Sequence, residues 1–530
     1  MKKINILYLF LALVVVSSCT KNLDVNTDPN SPTDVSITSD LLMPSALLKT
    51  SRLTTGAAVA GGANRLATLA RWLGVWSPPT DFAQGEESKY IQTAGTSSAT
   101  WYTIYDQNNE FRSVENKSIA NGETFYQGMA IIMQSLNYQM AVDMWNDIPY
   151  SQATNPSILT PKYDKGSDIY LDLLKRLDAA IVLIKGADAA KNFNIANGDI
   201  LRVSANGLPS TTGLNTAANR KLKWIKFANT LKLRLLIHMS QMPTIGALQA
   251  TEIAKINAEG SGFLNAGETI GVNPGFITAK PNHFWSNYIY DQAGNESNSF
   301  NRANNYSLNL MKSLSDERYK YFYKPIPGSP GTLPAHWVGI DYAPINSNPL
   351  FKSNVTSNIG GAPTPAGGST GLGKSATMDA WILTAAESLF LQAEAKARGW
   401  NVTGTALALY QSAVRESFSW LGVPNAIATA NTYLAQSDTR IQFGTSLAEN
   451  INAIAWQKYL AFNGNSHLEM WNDYRRLDII PIPLSIDPGR GNNAIPVRFP
   501  YPQTEYDFNT ANVTAAGGTN IFTSKIFWDL

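Results

Sequence analysis

The sequence predicts a mainly α-helical protein: irregular helix pairs of tetratricopeptide length, long loop insertions and little β-structure. Three observations carry the prediction. Phe125, Met129, Ile132, Leu136 and Met140 recur three or four residues apart, as do Tyr170, Leu173, Leu174, Leu177, Ile181 and Ile184, which places each set on one helix face. WILTAAESLFLQAEAKARG and TGTALALYQSAVRESFSWL, between Met378 and Trp420, are two helical stretches joined by a short turn after Gly399. A further pair runs through Leu447 to Phe462 and Ser466 to Leu477. The spacing between such pairs is irregular, which excludes a regular solenoid.

The chain opens with Lys2, Lys3, a run from Ile4 to Val16 that is apolar but for Asn5, and Val16-Ser17-Ser18-Cys19. This is the pattern of a lipoprotein signal peptide with a lipobox-like cleavage site. The run is too short to span a bilayer, for which about 20 apolar residues are needed. Residues 1–18 are expected to be removed, leaving Cys19 as a lipidated first residue. Cys19 is the only cysteine, so no disulfide can form within the chain. Acyl chains such as palmitate contribute about 0.8 kcal/mol per buried CH₂, and more than one is needed for stable anchoring.

Residues 19–40 (CTKNLDVNTDPNSPTDVSITSD) are polar, contain two prolines and lack a helical period, and read as a flexible tether. The globular domain is then 41–530. A first helix is expected from Leu41, with Asp40 as N-cap, and a second over Asn64 to Leu73. Trp76 to Ser98 reads as a long loop, the kind of segment that often carries function. Helices follow over Trp101 to Ile119, Thr124 to Trp145 and Ser167 to Ile184, the last capped by Ser167. Asp199 to Arg220 reads as loop, Lys221 to Met239 as helix, and Asn273 to Asn305 and Thr356 to Gly373 as irregular insertions.

Net charge is +2 and charged residues are 15% of the chain, against roughly 25% in typical soluble domains. There is no polybasic stretch, which argues against a nucleic-acid partner. The chain is instead rich in Trp, Tyr and Phe, a composition suited to neutral, hydrogen-bonding ligands.

No catalytic constellation emerges. The four histidines, His238, His283, His336 and His467, show no metal-ligand spacing, and His238 reads as a core histidine. Asp143, Asp147, Glu387 and Glu394 read as partners in helix-end hydrogen bonds and ion pairs rather than as acid/base pairs flanking a substrate. No phosphate loop, metal or cofactor site is indicated. The positive signal is aromatic side chains on long loops, whose flat faces suit sugar C–H groups or apolar peptide side chains. The ligand-binding candidates are Trp76, Phe82, Tyr90, Trp285, Tyr288, Tyr290 and Trp337. Trp145, Trp224, Trp381, Trp456 and Trp471, on helical faces, are expected in the core.

Cys19 followed by LDVNTDPNSP, WNDIPYSQA at 145–153, KWIKFANTLKLRLLIHMS at 223–240, Asp316-Glu-Arg318, AESLFLQAEAKARG at 386–399, IAWQKYLAF at 454–462, EMWNDYRR at 469–476, IPVRFPYPQTEYDFN at 495–509 and KIFWD occur in an order that resembles the SusD/RagB family of outer-membrane nutrient-binding lipoproteins of Bacteroidetes. The resemblance covers nearly the whole chain. It implies a SusD-like helical body, no enzymatic activity, a lipid anchor in the outer membrane, and a partner, a SusC-like TonB-dependent β-barrel transporter. It also favours a packing role for the arginines of EMWNDYRR. The implied ligand is a peptide or oligosaccharide, with this branch of the family tilting the expectation towards peptides. A surface hydrolase of polysaccharide or peptide is the alternative.

Overall fold

The computed structural model describes residues 37–59, 62–188, 191, 198–204, 216–344, 348–363 and 369–530. The expected leader, Cys19 and the tether as far as residue 36 lie outside them. About half of the chain is helical and 7% is strand, so the mainly α expectation holds. Among the described residues no helix is long and apolar enough to cross a membrane.

Helix α1 (Ser39–Thr54) starts two residues earlier than expected, with Thr38 as N-cap, so Asp40 lies in the first turn, beside the positive end of the helix dipole. After α2 (Arg65–Trp72), capped by the Asn64 side chain, a two-residue strand β1 (Trp76–Ser77) opens the first long loop. Helices α3 (Ser98–Asn121) and α4 (Thr124–Trp145) pack on one another, and α4 packs on α5 (Gly166–Lys185). Every residue of α4 except Thr124 and Gln127 is buried. An ideal Cβ on Gly128 would lie 2.5 Å from Ile184 Cγ1 and 2.9 Å from the Ala180 carbonyl oxygen, so glycine is what lets α4 approach α5. Ser167 is not the cap of α5. The Asp147 carboxylate accepts from the Gly166 N–H at 3.0 Å and from Lys165 Nζ at 2.7 Å, capping the helix from across the short antiparallel pair β2 (Ile148–Pro149) and β3 (Tyr163–Asp164).

The segment expected to be loop after Asp199 contains β4 (Leu201–Ser204). After α6 (Ala217–His238) and α7 (Ile245–Glu259), it pairs with β5 (Thr269–Val272). The second irregular stretch holds the short helix α8 (His283–Tyr288) and strand β6 (Arg302–Ala303), which pairs with β1, and is followed by α9 (Asn305–Ser313) and α10 (Tyr319–Phe322). Trp381 to Leu383, expected to open a helix, belong instead to β7 (Ala380–Leu383), the third strand of the β4-β5-β7 antiparallel sheet. The first helix of the predicted pair is accordingly α11 (Ala385–Ala397), capped by Thr384. It packs on α12 (Ala406–Leu421), which is followed by α13 (Ala426–Leu434). Then come α14 (Leu447–Ala461), started by a Ser446/Glu449 capping box, α15 (His467–Leu477), α16 (Gln503–Phe508) and α17 (Thr510–Ala515).

Trp145, Trp224, Trp381 and Trp471 are buried as expected, whereas Trp456 is only partly buried, with the Arg440 guanidinium 5.9 Å from its ring. Where α4, α6, α11, α14 and α15 meet, the interior is ionic. Arg234 of α6 bonds Glu387 of α11, with Nε at 2.8 Å, and Gln139 of α4 at 3.1 Å. Arg476 of α15 grips Glu394 of α11 at 2.6 and 2.9 Å and Asp473 at 2.7 Å, and Lys458 of α14 reaches Asp473 at 2.5 Å. Arg475 donates to the carbonyl oxygens of Asp143 and Val497 and lies 3.6 Å from the Trp471 ring. The packing role expected for these arginines, and the ion pairing expected for Glu387 and Glu394, are what the structure contains.

Two stability measurements follow. Arg476→Met leaves Glu394 and Asp473 as buried anions short of their principal cation and should cost about 3–5 kcal/mol in urea unfolding. Gly128→Ala should cost about 1–3 kcal/mol through overpacking, with the loss concentrated in the α4–α5 contact; an unchanged unfolding midpoint would contradict the close approach.

Candidate functional site

The paired strands β1 and β6 bring three loops together, residues 78–90, 296–301 and 348–355. Register sets Trp76 opposite Ala303 and Ser77 opposite Arg302. Thr80 joins the third loop twice, its N–H donating to the Phe351 carbonyl at 2.9 Å and its hydroxyl to the Asn348 carbonyl at 2.8 Å. The Asp81 carboxylate accepts from the Ser353 N–H at 2.5 Å, and this backbone bond is the main reason its pKa lies below the usual value. Asn358 donates to the Asn298 carbonyl at 3.0 Å.

On this frame Phe82 and Phe300 meet edge to face with ring centroids 5.3 Å apart. Phe82 is partly buried and Phe300 is 38% exposed. Beneath them, Arg71 of α2 lies 5.4 Å from the Phe300 ring, donates to Asn301 at 2.8 Å, and pairs with Glu87 through Nε at 2.5 Å and Nη2 at 2.8 Å. Burial alone would lower the Arg71 pKa, but Glu87 raises it above the usual guanidinium value. Burial would likewise raise Glu87, and Arg71 holds it low. Both groups stay charged and neither can swing away, so the aromatic pair has a fixed support. Leu350 and Val355 add exposed apolar surface from the third loop. The backbone marks the same region: Tyr90, which ends the Glu86–Lys89 turn, and Ala343 have φ of 61° and 62°, in the left-handed region disfavoured for residues with a side chain.

Of the seven aromatic candidates, the structure leaves two at the surface. Tyr290 is partly buried beneath Lys324, whose Nζ is 4.1 Å from its ring centroid, and Phe82 belongs to the edge-to-face pair. The other five, Trp76, Tyr90, Trp285, Tyr288 and Trp337, are buried. Trp76 is fully buried between Tyr288 and His467, at 5.2 and 4.7 Å. The Tyr288 hydroxyl donates to the Gly56 carbonyl at 2.5 Å, and Tyr90 accepts from the Ser485 N–H at 2.8 Å. Trp337 donates to the Tyr323 carbonyl at 2.9 Å and meets Tyr319 edge to face. Trp285 is buried 5.7 Å from Tyr290. These rings pin the loops to the core, because burying their large apolar area against a helix outweighs leaving it wet. Phe300 was absent from the candidates; its signal was a lone aromatic in the polar run Asn295–Asn305.

The arrangement offers flat aromatic faces, amides and a carboxylate, and among the described residues it brings no nucleophile and base together. Among the described residues one cluster has metal-ligand character, Asp143, His238 and Glu469, with ligand atoms within 4.8 Å of one another. Its atoms are already engaged: His238 Nε2 with Glu469 at 2.8 Å, Nδ1 with the Tyr170 hydroxyl at 3.0 Å, and Asp143 with Tyr170, Gln139 and, at 2.9 Å, Asn472. It is a polar joint between helices, and His238 is the core histidine the sequence suggested.

The anchor beneath Trp76 makes a pH-dependent prediction. Burial pushes His467 down to about 3 from an ordinary 6.5. As pH falls below 6.5 the unfolded chain therefore takes up this proton first, and the stability present above pH 6.5 is lost progressively down to about pH 3. In urea titrations His467→Leu should show a slope of stability against pH shallower by up to about 1.4 kcal/mol per unit in that window; an unchanged slope would mean the imidazole is protonated in the folded protein.

The comparisons agree with this architecture. Residues 32–502 match a SusD-like family described as "Starch-binding associating with outer membrane". A SusD homolog from Bacteroides fragilis is 18% identical over 93% of this chain and 100% of its own, with a TM-score of 0.71. A chitin-binding SusD homolog from Flavobacterium johnsoniae is 19% identical over 92% and 98%, with a TM-score of 0.73. A SusD/RagB family protein from Bacteroides thetaiotaomicron is 20% identical over 93% and 99%, with a TM-score of 0.65. No curated protein matches the chain. With most of its length matched by the family and its fold shared by these structures, the chain belongs to the SusD-like family.

Proposed function

We propose that this protein is a non-enzymatic, lipid-anchored binding protein of the outer-membrane surface. It captures an oligomeric glycan on the loop cluster around Phe82 and Phe300 and delivers it to a SusC-like TonB-dependent transporter. The observation that carries the binding role is the Phe82–Phe300 pair, a partly exposed aromatic edge fixed over the Arg71–Glu87 ion pair. An aromatic face and neighbouring amides suit sugar rings, which present C–H groups on one side and hydroxyls at the edge. The chitin-binding description of one relative supports a glycan over a peptide. Lipid anchoring rests on Cys19 and its leader, and the transporter partner rests on the family.

Phe300→Ala should weaken capture of chitin oligosaccharides by about 1–3 kcal/mol in calorimetric titration, while the unfolding midpoint moves little, because the ring is partly solvated. Unchanged affinity would remove the aromatic pair from the site. In the same samples mass spectrometry should find no cleaved product; turnover lost on substitution of one carboxylate would establish a hydrolase instead. Cys19→Ala should leave affinity unchanged and release the protein from the cell surface.

A further inference from the structure

A second cleft, of about 480 Å³, lies between α9 and residues 483–486. That volume falls in the range of small-molecule pockets. Asn305, Asn309 and Ser313 are spaced four residues apart on α9, so they form one polar stripe along the helix. Asn305 donates to Asp341 at 2.9 Å, which fixes an amide and a carboxylate side by side. Arg440 closes one end. Its Nε and Nη2 are held by Asp438 at 2.8 and 2.6 Å, and Nη1 makes no hydrogen bond among the described residues. Pro483, Leu484 and Ile486 supply the apolar lining, and Ile486 is half exposed.

Tyr306 also lines the cleft, and its ring is held from behind. Gly74, at φ +68°, sits so close that a Cβ would come within 3.0 Å of Tyr306 Cδ1, and Tyr459 meets the ring 5.9 Å away. Its buried hydroxyl has no hydrogen-bond partner among the described residues.

We propose that this cleft is a separate binding site for a neutral oligosaccharide of two or three rings. Amides and a guanidinium donate, a carboxylate and amide oxygens accept, and apolar side chains with one tyrosine ring offer contact to C–H faces. Sugar hydroxyls both give and take hydrogen bonds, so they match this mixed inventory. The single cation is shared with Asp438 and Asp341 is nearby, so a phosphate or sulfate would meet carboxylate repulsion with little compensation.

The cleft and the Phe82–Phe300 cluster share no lining side chain. Between them stands the Arg71–Glu87 pair: the Tyr342 hydroxyl, on the cleft side, lies 3.5 Å from Glu87 Oε1, and Arg71 supports Phe300 on the other. The site therefore stands or falls independently of the function proposed above.

The test is calorimetric and saturation-transfer NMR titration of the mature protein with triacetylchitotriose, maltotriose and cellotriose. Four forms are compared: wild type, Phe82→Ala/Phe300→Ala, Asn309→Ala/Asp341→Ala, and all four substitutions together. Asn309 and Asp341 are exposed, so circular dichroism and the melting midpoint should match wild type. At least one triose should still bind the Phe82→Ala/Phe300→Ala form, and adding the cleft substitutions should weaken that binding about tenfold or more, the scale of losing one or two hydrogen bonds. Failure of all three sugars to bind the Phe82→Ala/Phe300→Ala form, or binding there that ignores the cleft substitutions, overturns the cleft site. Loss of binding confined to the cleft variants upholds the cleft and removes the aromatic pair.

Discussion

The structure depends on the buried ionic joint between α4, α6, α11, α14 and α15. Two carboxylates, Glu387 and Glu469, compete for Arg234. Glu469 also has His238 at 2.8 Å. Burial raises Glu387 to about 7, with the Glu469 charge adding to the effect against the pull of Arg234. At Glu469, burial works in the same direction but is outweighed by Arg234 and His238, which hold it low. The Arg476–Glu394–Asp473–Lys458 chain repeats the arrangement beside it. Such a joint gains little over apolar packing while intact, yet it is costly to break, because any displaced helix strands a charge in the interior. It therefore fixes the mutual placement of helices far apart in sequence.

That placement reaches the loops through aromatic anchors. His467, the first residue of α15, packs edge-on against Trp76 at the start of β1, two residues before Glu469 joins the ionic network. Tyr459 of α14 donates to the Leu73 carbonyl at 2.8 Å, just before the same strand. β1 then pairs with β6, and Phe82 and Phe300 emerge from the loops on either side. The two rings, Phe82 partly buried and Phe300 exposed, thus lie a short, stiff path from the core. A ligand meeting them would find little conformational freedom left to remove, which favours affinity for weakly interacting, neutral molecules.

The helical body was legible in the sequence because its signals are local. The period of α4 and α5, the Ser446/Glu449 capping box and the Gly399 turn all lie within a few residues of what they specify. The misplaced features are non-local. Ala380–Leu383 runs into α11 with no break in hydropathy, and only strand β5, over a hundred residues earlier, makes it β; Thr384 with Glu387 was the available sign that the helix starts later. Ser167 looked like a cap because Asp147, the group that does the capping, is supplied by a separate segment. Trp76, Tyr90, Trp285, Tyr288 and Trp337 stand in polar loops much as Phe82 does, and composition cannot distinguish a ring turned inward to hold a loop from one turned outward to meet a ligand. Phe300 is the reverse case, a lone ring in a polar run that is turned outward.

The low share of charged residues takes on a physical meaning once their positions are known. Arg71, Arg234, Arg318, Arg475 and Arg476 are buried, each beside a carboxylate, a carbonyl or an aromatic ring. Part of the chain's charge is thereby committed to internal geometry, and the faces around Phe300 and along Asn305, Asn309 and Ser313 present mainly rings, amides and hydroxyls, with Asp81 beside the first and Asp341 and Arg440 beside the second. Such surfaces exert no long-range pull on a neutral ligand, so capture begins only on contact. In the proposed function, such a surface would gain most from being held where ligand and transporter meet, which would give a tether anchored at Cys19 a mechanistic role in addition to its role as an address.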